Sequence, residues 1–471
     1  MKSAGKPRIL LLMPDAGIHH LKFGSFKMSL REAPLTLTTL AALVPAELDA
    51  KLDLIDESVD KIPFDCDFDL VAISCLTGTA ARAYETADRF RRAGATVVLG
   101  GVHVSLRPEE ATQHADSIVT GFAERTWPML LKDFMAGNLK SRYDSGNSDL
   151  AGMPLPRRDL QKRFAYTMPQ TVFATRGCRH QCDFCTVPAV PFGWQTRPMG
   201  EVIDEISRLP GKRFAFNDVN LVSDREYAME LFAALAKLNK KWGGLAPVSI
   251  ADDDELLDMA QRSGCQYLLL GFESIKQDSL CGIRKGFNRV QNYRAAMQAF
   301  HSRGIVVQGC FIFGMDGDDK NVFANTVDAV NDLHIDIPRY ALYTPYPGTP
   351  AFKTLKEQGR ILHECWQYYD TQHVVFQPSQ MTPAELYEGF CRAYRQTFAR
   401  KASFMRAWSS PHPVISLLGN AAYGLYARKL SVGTESMPAD DKALSNSKSL
   451  PCECEPTRWA GSCLHAGGNK R

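Results

Sequence analysis

The sequence predicts an α/β protein of 471 residues with two sheet domains and a helical carboxyl-terminal extension. Residues 6–138 alternate short apolar strands with helical stretches, which predicts a doubly wound parallel sheet. Residues 166–364 repeat the strand–helix unit six times, which predicts a partial (β/α)6 barrel. Residues 365–430 are rich in helical patterns, and Thr382 with Glu385 three positions later is a capping box that starts one helix.

The bulk composition is that of an ordinary globular enzyme, with 45% hydrophobic and 23% charged residues. A formal net charge of +3 is too small to indicate a nucleic-acid partner. The apolar run near the start ends in Pro-Asp-Ala-Gly, which predicts a strand and a loop instead of a signal peptide. No uncharged apolar run reaches eighteen residues, so we expect no transmembrane segment. Thirteen cysteines without a secretion signal then predict a cytoplasmic protein with metal chemistry.

In the first domain the predicted strand ends carry small residues. The predicted strands are Arg8–Met13, Lys51–Ile55, Leu70–Ser74, Thr96–Leu99 and Ser117–Thr120, with helices at Pro34–Leu48 and Ala80–Ala93. Ligands of such sheets lie beyond the carboxyl ends of the strands. Gly100, Gly101 and Gly121 stand there and allow a flat or bulky cofactor to approach the backbone closely.

The second domain follows a polar, proline-containing linker at residues 139–165. Its predicted strands are Thr171–Thr175, Arg213–Phe216, Val248–Ala251, Tyr267–Leu270, Val306–Phe313 and Arg339–Thr344, with a helix at Glu201–Leu209. Functional residues of barrels collect at the carboxyl ends of the strands. The segments that follow the first, second and fourth strands are therefore candidate site residues.

The segment after the first barrel strand contains Cys178, Cys182 and Cys185 at CxxxCxxC spacing. Thiolates bind soft metals, and iron–sulfur clusters are normally held by four of them, so three would leave one iron open. A structural zinc site needs a fourth ligand, which His180 could supply. A disulfide with a spare thiol does not suit a chain without a secretion signal. The spacing favours an iron–sulfur cluster with an open iron.

The cysteine spacing resembles the signature loop of the radical S-adenosylmethionine (SAM) superfamily. This resemblance implies a 4Fe-4S cluster whose open iron is chelated by the amino and carboxylate groups of SAM. It also implies SAM contacts at the other strand ends. These candidate residues are Glu273 and Ser274 in the run GFES, and Asn217, Asp218 and Asn220 after the second barrel strand.

Two runs in the first domain, VVLGGVHVSLRPEEA and HADSIVTGFAERTWPMLLKD, resemble the cobalamin-binding domain that precedes the barrel in many radical SAM enzymes. The resemblance implies a Rossmann-like domain with cobalamin near Gly100, Gly101, His103, Gly121 and Glu124. The sequence lacks the DxHxxG motif that supplies a histidine to cobalt in other cobalamin proteins. It also has GFAE where the family more often has Gly-Glu-x-Glu. A Rossmann-like domain without a cofactor is the alternative interpretation.

The resembled family implies a methyltransferase that cleaves SAM reductively and methylates an unreactive carbon or phosphorus centre of a specialised metabolite or lipid through cobalamin. Its expected partners are a small-molecule substrate and an external electron donor such as flavodoxin or ferredoxin. One alternative is transfer of the 3-amino-3-carboxypropyl group of SAM to a soft acceptor such as arsenite, without cobalamin. Another is a redox sensor based on the cluster or cobalamin.

Two features of the carboxyl-terminal part stay outside this resemblance. Residues 412–430 predict an apolar helix that either packs against protein or lies at a membrane interface. Residues 431–471 have the composition of a disordered tail. The tail carries Cys452, Cys454 and Cys463, which could bind a soft ion such as zinc or trivalent arsenic, or be inert.

Overall fold

The computed structural model of the chain describes residues 6–15, 20–23, 26–146, 149–190 and 193–432. Its first part contains the strands β1 Arg8–Met13, β2 His20–Phe23, β3 Phe26–Glu32, β4 Lys51–Asp56, β5 Leu70–Ser74, β6 Thr96–Gly100, β7 Ser117–Thr120 and β8 Arg142–Asp144. The helices of this part are α1 Thr36–Ala42, α2 Ala80–Arg92, α3 Val102–Leu106, α4 Pro108–Ala111 and α5 Ala123–Met135.

The first sheet is parallel throughout and has the strand order β4-β1-β5-β6-β7-β8. Helices cover both faces, so its central strands are continuous apolar runs, and Ile9 to Leu12 are fully buried. This confirms the predicted doubly wound fold. The cores on the two faces are separate, one around α2 and the other around α1 and α5.

Three details of the first part differ from the prediction. The helix expected at Pro34–Leu48 ends at Ala42, because Pro45 lacks the N–H that would continue it, and a 3₁₀ turn follows. Strand β8 extends the sheet into the segment predicted as a linker. The strands β2 and β3 form a hairpin that no sequence pattern predicted.

The second part contains the strands β9 Tyr166–Met168, β10 Thr171–Val172, β11 Thr175–Arg176, β12 Gln195–Thr196, β13 Arg213–Phe216, β14 Lys241–Pro247, β15 Cys265–Glu273, β16 Val306–Phe313 and β17 Ile337–Leu342. Its helices are α6 Thr186–Ala189, α7 Met199–Arg208, α8 Arg225–Leu235, α9 Asp254–Arg262, α10 Gln277–Gly282, α11 Tyr293–Ser302, α12 Val322–Asp332 and α13 Pro350–Glu357. Six parallel strands in the order β10-β13-β14-β15-β16-β17 form an open sheet, which confirms the partial barrel.

The strand predicted at Val248–Ala251 is wrong: that segment is a 3₁₀ turn, and the strand β14 precedes it. Glycine is depleted in strands, so a sequence pattern that contains Gly243 and Gly244 did not indicate the strand β14. Packing explains both glycines. A Cβ on Gly243 would lie 3.0 Å from Cδ1 of Tyr267, and one on Gly244 would lie 3.3 Å from Cβ of Phe216.

The two faces of the barrel sheet differ in burial. On β15, Leu268, Leu270 and Phe272 point towards the outer helices and are buried, whereas the alternating residues Tyr267 and Leu269 are half-buried. Cys310 and Ile312 on β16 and Arg339 and Ala341 on β17 are half-buried in the same way, on the same inner face. The inner face is therefore accessible, and it forms the lumen of the open barrel.

The extension contains α14 Pro383–Thr397, α15 Arg400–Ser409 and α16 Pro413–Val432. The predicted capping box is confirmed, since Thr382 Oγ1 accepts from Glu385 N at 3.2 Å and Glu385 Oε2 accepts from Thr382 N at 2.9 Å. Helices α14 and α16 pack on the edge strand β17. Before them, Trp366 donates to Glu110 at 2.9 Å, so the extension also covers the first domain.

None of the described helices is both long enough and apolar enough to cross a bilayer.

Candidate active site at the barrel mouth

The cysteine loop begins directly after β11 and is held at its base by the antiparallel partner strand β12. Gly177 has φ of +82°, and a Cβ there would overlap the carbonyl oxygen of Gly193, so only glycine fits. Cys182 is buried, while Cys178 and Cys185 are half-buried. The loop thus stands at the carboxyl end of the first barrel strand, where the sequence placed it.

Two polar side chains donate towards the first cysteine. Asn220 Nδ2 lies 3.6 Å from Cys178 Sγ, and Ser223 Oγ lies 4.0 Å from the same sulfur. Hydrogen bonds to sulfur stabilise a thiolate and tune a cluster that it ligates. Asn220 was a predicted SAM contact, and the structure places it at the cluster loop itself.

Asp218 holds the backbone of the loop. Its carboxylate accepts from the amides of Ala174 and Thr175, and from Thr175 Oγ1 at 2.7 Å. Burial raises the pKa of Asp218 to about 6, although these donors work in the opposite direction. The side chain therefore positions the strand that leads into the cysteines.

Asn217 follows β13 directly. Its side chain is exposed, and Nδ2 donates to the carbonyl of Ala33 at 3.2 Å. The structure gives Asn217 a contact with Ala33, a residue of the first domain between β3 and α1. Its predicted contact with SAM stays a prediction.

Glu273 stands at the mouth of the barrel, at a register shift between β15 and β16. Its φ of +61° is unusual for a residue other than glycine, which marks a constrained backbone of the kind found at functional sites. Gly271 leaves the space for this side chain, because a Cβ there would overlap Glu273 Oε1.

Lys285 pairs with Glu273 at 2.5 Å, and both side chains are nearly buried. Burial lowers the pKa of Lys285, but the charge and hydrogen bond of Glu273 outweigh it, so the net shift is upward. No sequence pattern pointed to Lys285, which lies in the loop after α10.

Ser274 is buried next to Glu273 and shapes the turn. Its Oγ accepts from Lys276 N at 3.0 Å, and its carbonyl accepts from the Tyr293 hydroxyl at 3.2 Å. The structure thus supports a positioning role for the side chain, and contact with SAM stays a prediction.

The donor set of the cysteine loop fits a cluster better than a single ion. In the part of the chain that the structure describes, no three His, Cys, Asp or Glu side chains converge as ligands of one metal ion. A cubane takes each thiolate on a different iron, so its thiolates do not need to converge on one point. Burial raises the pKa of the Cys182 thiol to about 11, while Lys285 works in the opposite direction.

The carboxyl edge of the first sheet is built around backbone and small side chains. Gly101 has φ of +102°, and a Cβ there would lie 2.5 Å from the carbonyl oxygen of Cys75. Ser105 Oγ donates to the carbonyl of Gly101 at 3.0 Å and accepts from Gly121 N at 2.9 Å. Leu76 is 52% exposed at the same edge. Small residues beside an exposed apolar side chain fit a flat macrocycle.

His103 lies on α3, two residues after Gly101. The side chain is fully buried, Nδ1 lies 3.2 Å from Thr77 Oγ1, and the ring packs edge-on against Trp366 at 5.5 Å. Its Nε2 lies 3.6 Å from Glu110. Its contact with cobalamin stays a prediction, and the structure places the side chain at the interface between the first domain and the extension.

Glu124 joins the two domains. Its carboxylate pairs with Arg176, the residue two positions before Cys178, and the pair is largely buried. The Arg176 guanidinium also lies over the rings of Phe173 at 4.4 Å and Phe122 at 5.0 Å. The run GFAE, predicted to contact cobalamin, thus contacts the cluster loop directly. No sequence pattern indicated Arg176.

The inner face of the barrel carries a hydrogen-bonded wall. The Tyr267 hydroxyl donates to Gln308, and Gln308 Nε2 donates to the Tyr423 hydroxyl at 2.9 Å. Arg339 stands opposite Cys310 in the register and adds a positive charge to this face. The tail residues Cys452, Cys454 and Cys463 lie outside the described residues, so their prediction stays untested.

Comparison with known proteins agrees with this geometry. Residues 172–330 match the family model of the radical SAM superfamily, and residues 23–131 match that of the B12 binding domain. The chain is 34% identical over 394 residues to a bacteriochlorophyllide d C-12(1)-methyltransferase of Chlorobaculum tepidum, with 80% of this chain and 85% of the relative covered. The chain belongs to the radical SAM enzymes that carry a cobalamin-binding domain.

Two further similarities extend over most of this radical SAM enzyme. A bacteriochlorophyllide d C-8(2)-methyltransferase of Chlorobaculum tepidum is 31% identical, with 83% of this chain and 90% of the relative covered. The structure of the radical SAM methyltransferase TsrM from Kitasatospora setae superposes with a TM-score of 0.66 at 14% identity and covers 91% of this chain and all of that chain. The latter shows the same overall fold.

The predicted enzyme class and cofactors are confirmed by these similarities. The protein is a transferase of the radical SAM type, and its cofactors are a 4Fe-4S cluster, SAM and cobalamin.

Proposed function

We propose that this radical SAM enzyme transfers a methyl group from SAM to an unreactive peripheral carbon of a bacteriochlorophyllide-type tetrapyrrole. The observation that carries the proposal is the 34% identity with a bacteriochlorophyllide d methyltransferase along most of both chains. The second relative of that kind methylates a different position according to its name, so the position methylated here is left open.

The chain offers a place for each cofactor. Cys178, Cys182 and Cys185 would hold the cluster, with Asn220 beside the first sulfur. The carboxyl edge at Gly101 would take the cobalamin. When bound, the reduced cluster supplies the electron that cleaves a carbon–sulfur bond of SAM, and cobalamin supplies the carrier for the methyl group. The electron itself comes from an external donor such as flavodoxin or ferredoxin.

The chain's own residues bind and orient SAM. The Glu273 carboxylate lies at the barrel mouth, where it can accept from the ammonium or ribose hydroxyls of SAM. Lys285 holds this carboxylate in place through the 2.5 Å contact. Phe184, which precedes the third cysteine, packs towards Tyr343 with ring centroids 6.4 Å apart and keeps water from one side of the loop.

The lumen is where the acceptor would bind. Tyr267, Gln308 and Tyr423 give it an aromatic and polar wall, and Arg339 supplies a positive charge for an acidic substituent. An open half-barrel suits a large flat acceptor, because its inner face is accessible along β15, β16 and β17.

An isotope-labelling assay of methyl transfer tests the proposal. Anaerobically reconstituted protein is given reductant, SAM with a trideuterated methyl group, and bacteriochlorophyllide d. We expect the label in the tetrapyrrole, together with S-adenosylhomocysteine and 5′-deoxyadenosine, and no turnover by Cys182→Ala. An unlabelled acceptor with both nucleosides formed would mean a different methyl acceptor. Methylthioadenosine as the product would instead indicate transfer of the aminocarboxypropyl group and would overturn methyl transfer.

A further inference from the structure

Exposed apolar side chains are concentrated on one helical hairpin. Thirteen large hydrophobic residues are exposed in the described chain, and seven of them lie on α15 and α16. These seven, which we call the outer hairpin face, are Phe404, Met405, Trp408, Val414, Leu417, Leu418 and Leu425, with exposed fractions from 47% to 78%. Phe404 and Trp408 stack with centroids 6.1 Å apart. A concentration of exposed apolar side chains on one element is typical of an interaction site.

The inward side of the hairpin buries polar groups as well as apolar ones. Ser416, Asn420 and Arg406 are almost completely buried there, together with Tyr426 and Ala427. Arg406 donates to Asn331 Oδ1 at 2.9 Å and to Asn420 Oδ1 at 2.8 Å. A surface helix normally turns its polar side to water.

Hydrogen bonds to the barrel fix this orientation. Asn420 Nδ2 and Ser416 Oγ donate to the carbonyl of Asp336 at 2.7 and 3.1 Å. A Cβ on Gly419 would lie 2.5 Å from Cδ1 of Ile337, so α16 approaches β17 closely. Rotating α16 to bury its apolar side would leave these buried polar groups without partners, which is costly. The apolar side is therefore held outward.

The charge of the hairpin has a single sign. Residues 399–432 contain no Asp or Glu and five basic residues, Arg400, Lys401, Arg406, Arg428 and Lys429. Arg400 and Lys401 are exposed at the start of α15, next to the apolar side chains. Basic residues beside exposed Trp and Phe are typical of helices that lie in the headgroup region of anionic membranes.

We infer that the outer hairpin face docks on the surface of a membrane that contains anionic lipids. The apolar side chains enter the boundary between headgroups and acyl chains, and the exposed Arg400 and Lys401 contact lipid phosphates. A second copy of the chain is a poorer occupant, since docking of two such faces would bring cations against cations. The mode of binding is interfacial, in agreement with the finding that none of the described helices can cross a bilayer.

Docking also places the lumen of the barrel close to the bilayer. Tyr423, on the inward side of α16, accepts from Gln308 of the lumen wall. A single helix thus separates the membrane from the proposed acceptor site, which suits a lipophilic acceptor. The suitability for a lipophilic acceptor rests on the proposed function, whereas docking on the membrane does not.

Vesicle flotation tests the inference with the purified full-length chain. The vesicles are phosphatidylcholine alone or phosphatidylcholine with about 30% phosphatidylglycerol. We expect the protein to float with the anionic vesicles, and to float less with the neutral ones or at about 0.5 M salt. Trp408→Ser with Leu418→Ser should lower the bound fraction about tenfold. Phe164→Ser, which removes an apolar side chain that is 89% exposed elsewhere, should not change it.

A second variant separates docking from misfolding. Arg400→Glu with Lys401→Glu alters only exposed charges and should abolish the preference for anionic vesicles. Unchanged melting temperatures and iron contents establish that both variants fold. The inference is overturned if the wild type does not float, or if the Trp408/Leu418 variant floats equally well. It is also overturned if light scattering shows that the wild type is a dimer, the Trp408/Leu418 variant is a monomer, and neither protein floats. A chain ending at Val432 that floats when the full-length chain does not would overturn it as well.

Discussion

Cys178, Cys182 and Cys185 can all be replaced singly without disturbing a core strand, so they allow a direct test of the cluster loop. In Cys182→Ala the remaining two thiolates should not hold a cubane, and we expect most of the iron and all SAM cleavage to be lost. Colorimetric iron analysis and chromatography of the nucleosides measure this. Cys281→Ala is the matched control because Cys281 is exposed and lies outside the loop. Iron retained by Cys182→Ala with SAM still consumed would contradict the role of the loop.

Lys285 and Glu273 form a nearly buried ion pair, so removing one partner leaves a charge without compensation. Lys285→Met should lower the free energy of unfolding by about 3–5 kcal/mol. Lys285→Met combined with Glu273→Gln should recover part of this loss, because the uncompensated charge is then gone. Chemical denaturation of the wild type, both single variants and the double variant gives the coupling energy. Additive effects of the two substitutions would show that the pair is not coupled.

The residue scale also shows where the sequence was informative. The spacing of the three cysteines indicated a site because it is specific to one kind of chemistry. Lys285 and Arg176 did not indicate a site, because an isolated basic residue in a loop has the pattern of ordinary solvated surface. Only the fold brings Lys285 to Glu273 and Arg176 to Glu124.

At the scale of elements, strands were predictable where apolar runs are continuous and were missed where packing requires glycine. Strand β5 is a simple run of buried apolar residues, whereas β14 contains Gly243 and Gly244 against Tyr267 and Phe216. Strand β8 was missed for a different reason, because it has three residues and only one of them is buried. Strand β3 pairs with β9 of the next domain, which no local pattern indicates.

The capping box of α14 gives a prediction for a single element. Thr382→Ala removes the side chain that accepts from Glu385 N, so we expect the free energy of unfolding to fall by about 1 kcal/mol. Glu388→Ala, at an exposed position further along α14, is the control and should have a much smaller effect. Equal losses in the two variants, measured by urea denaturation, would mean that the cap does not stabilise the extension.

At the scale of the whole molecule, the largely buried pair of Glu124 and Arg176 links the domain that would hold cobalamin to the loop that would hold the cluster. Glu124→Gln leaves the Arg176 charge without its partner, and should lower turnover more than it lowers the iron content. It should also separate the unfolding of the two domains into two calorimetric transitions. Glu109→Gln, at an exposed position of the same domain, should change neither quantity. A single transition and normal turnover in Glu124→Gln would contradict the link.

We expect one chain to hold two cofactors, a cluster on three cysteines and cobalamin on the first sheet. The most direct measurement is the iron and cobalamin content of anaerobically reconstituted, desalted protein. We predict about four irons and one cobalamin per chain for the wild type, and cobalamin retained when Cys182→Ala loses its iron. A wild-type chain that keeps its iron but takes up no cobalamin would contradict the account.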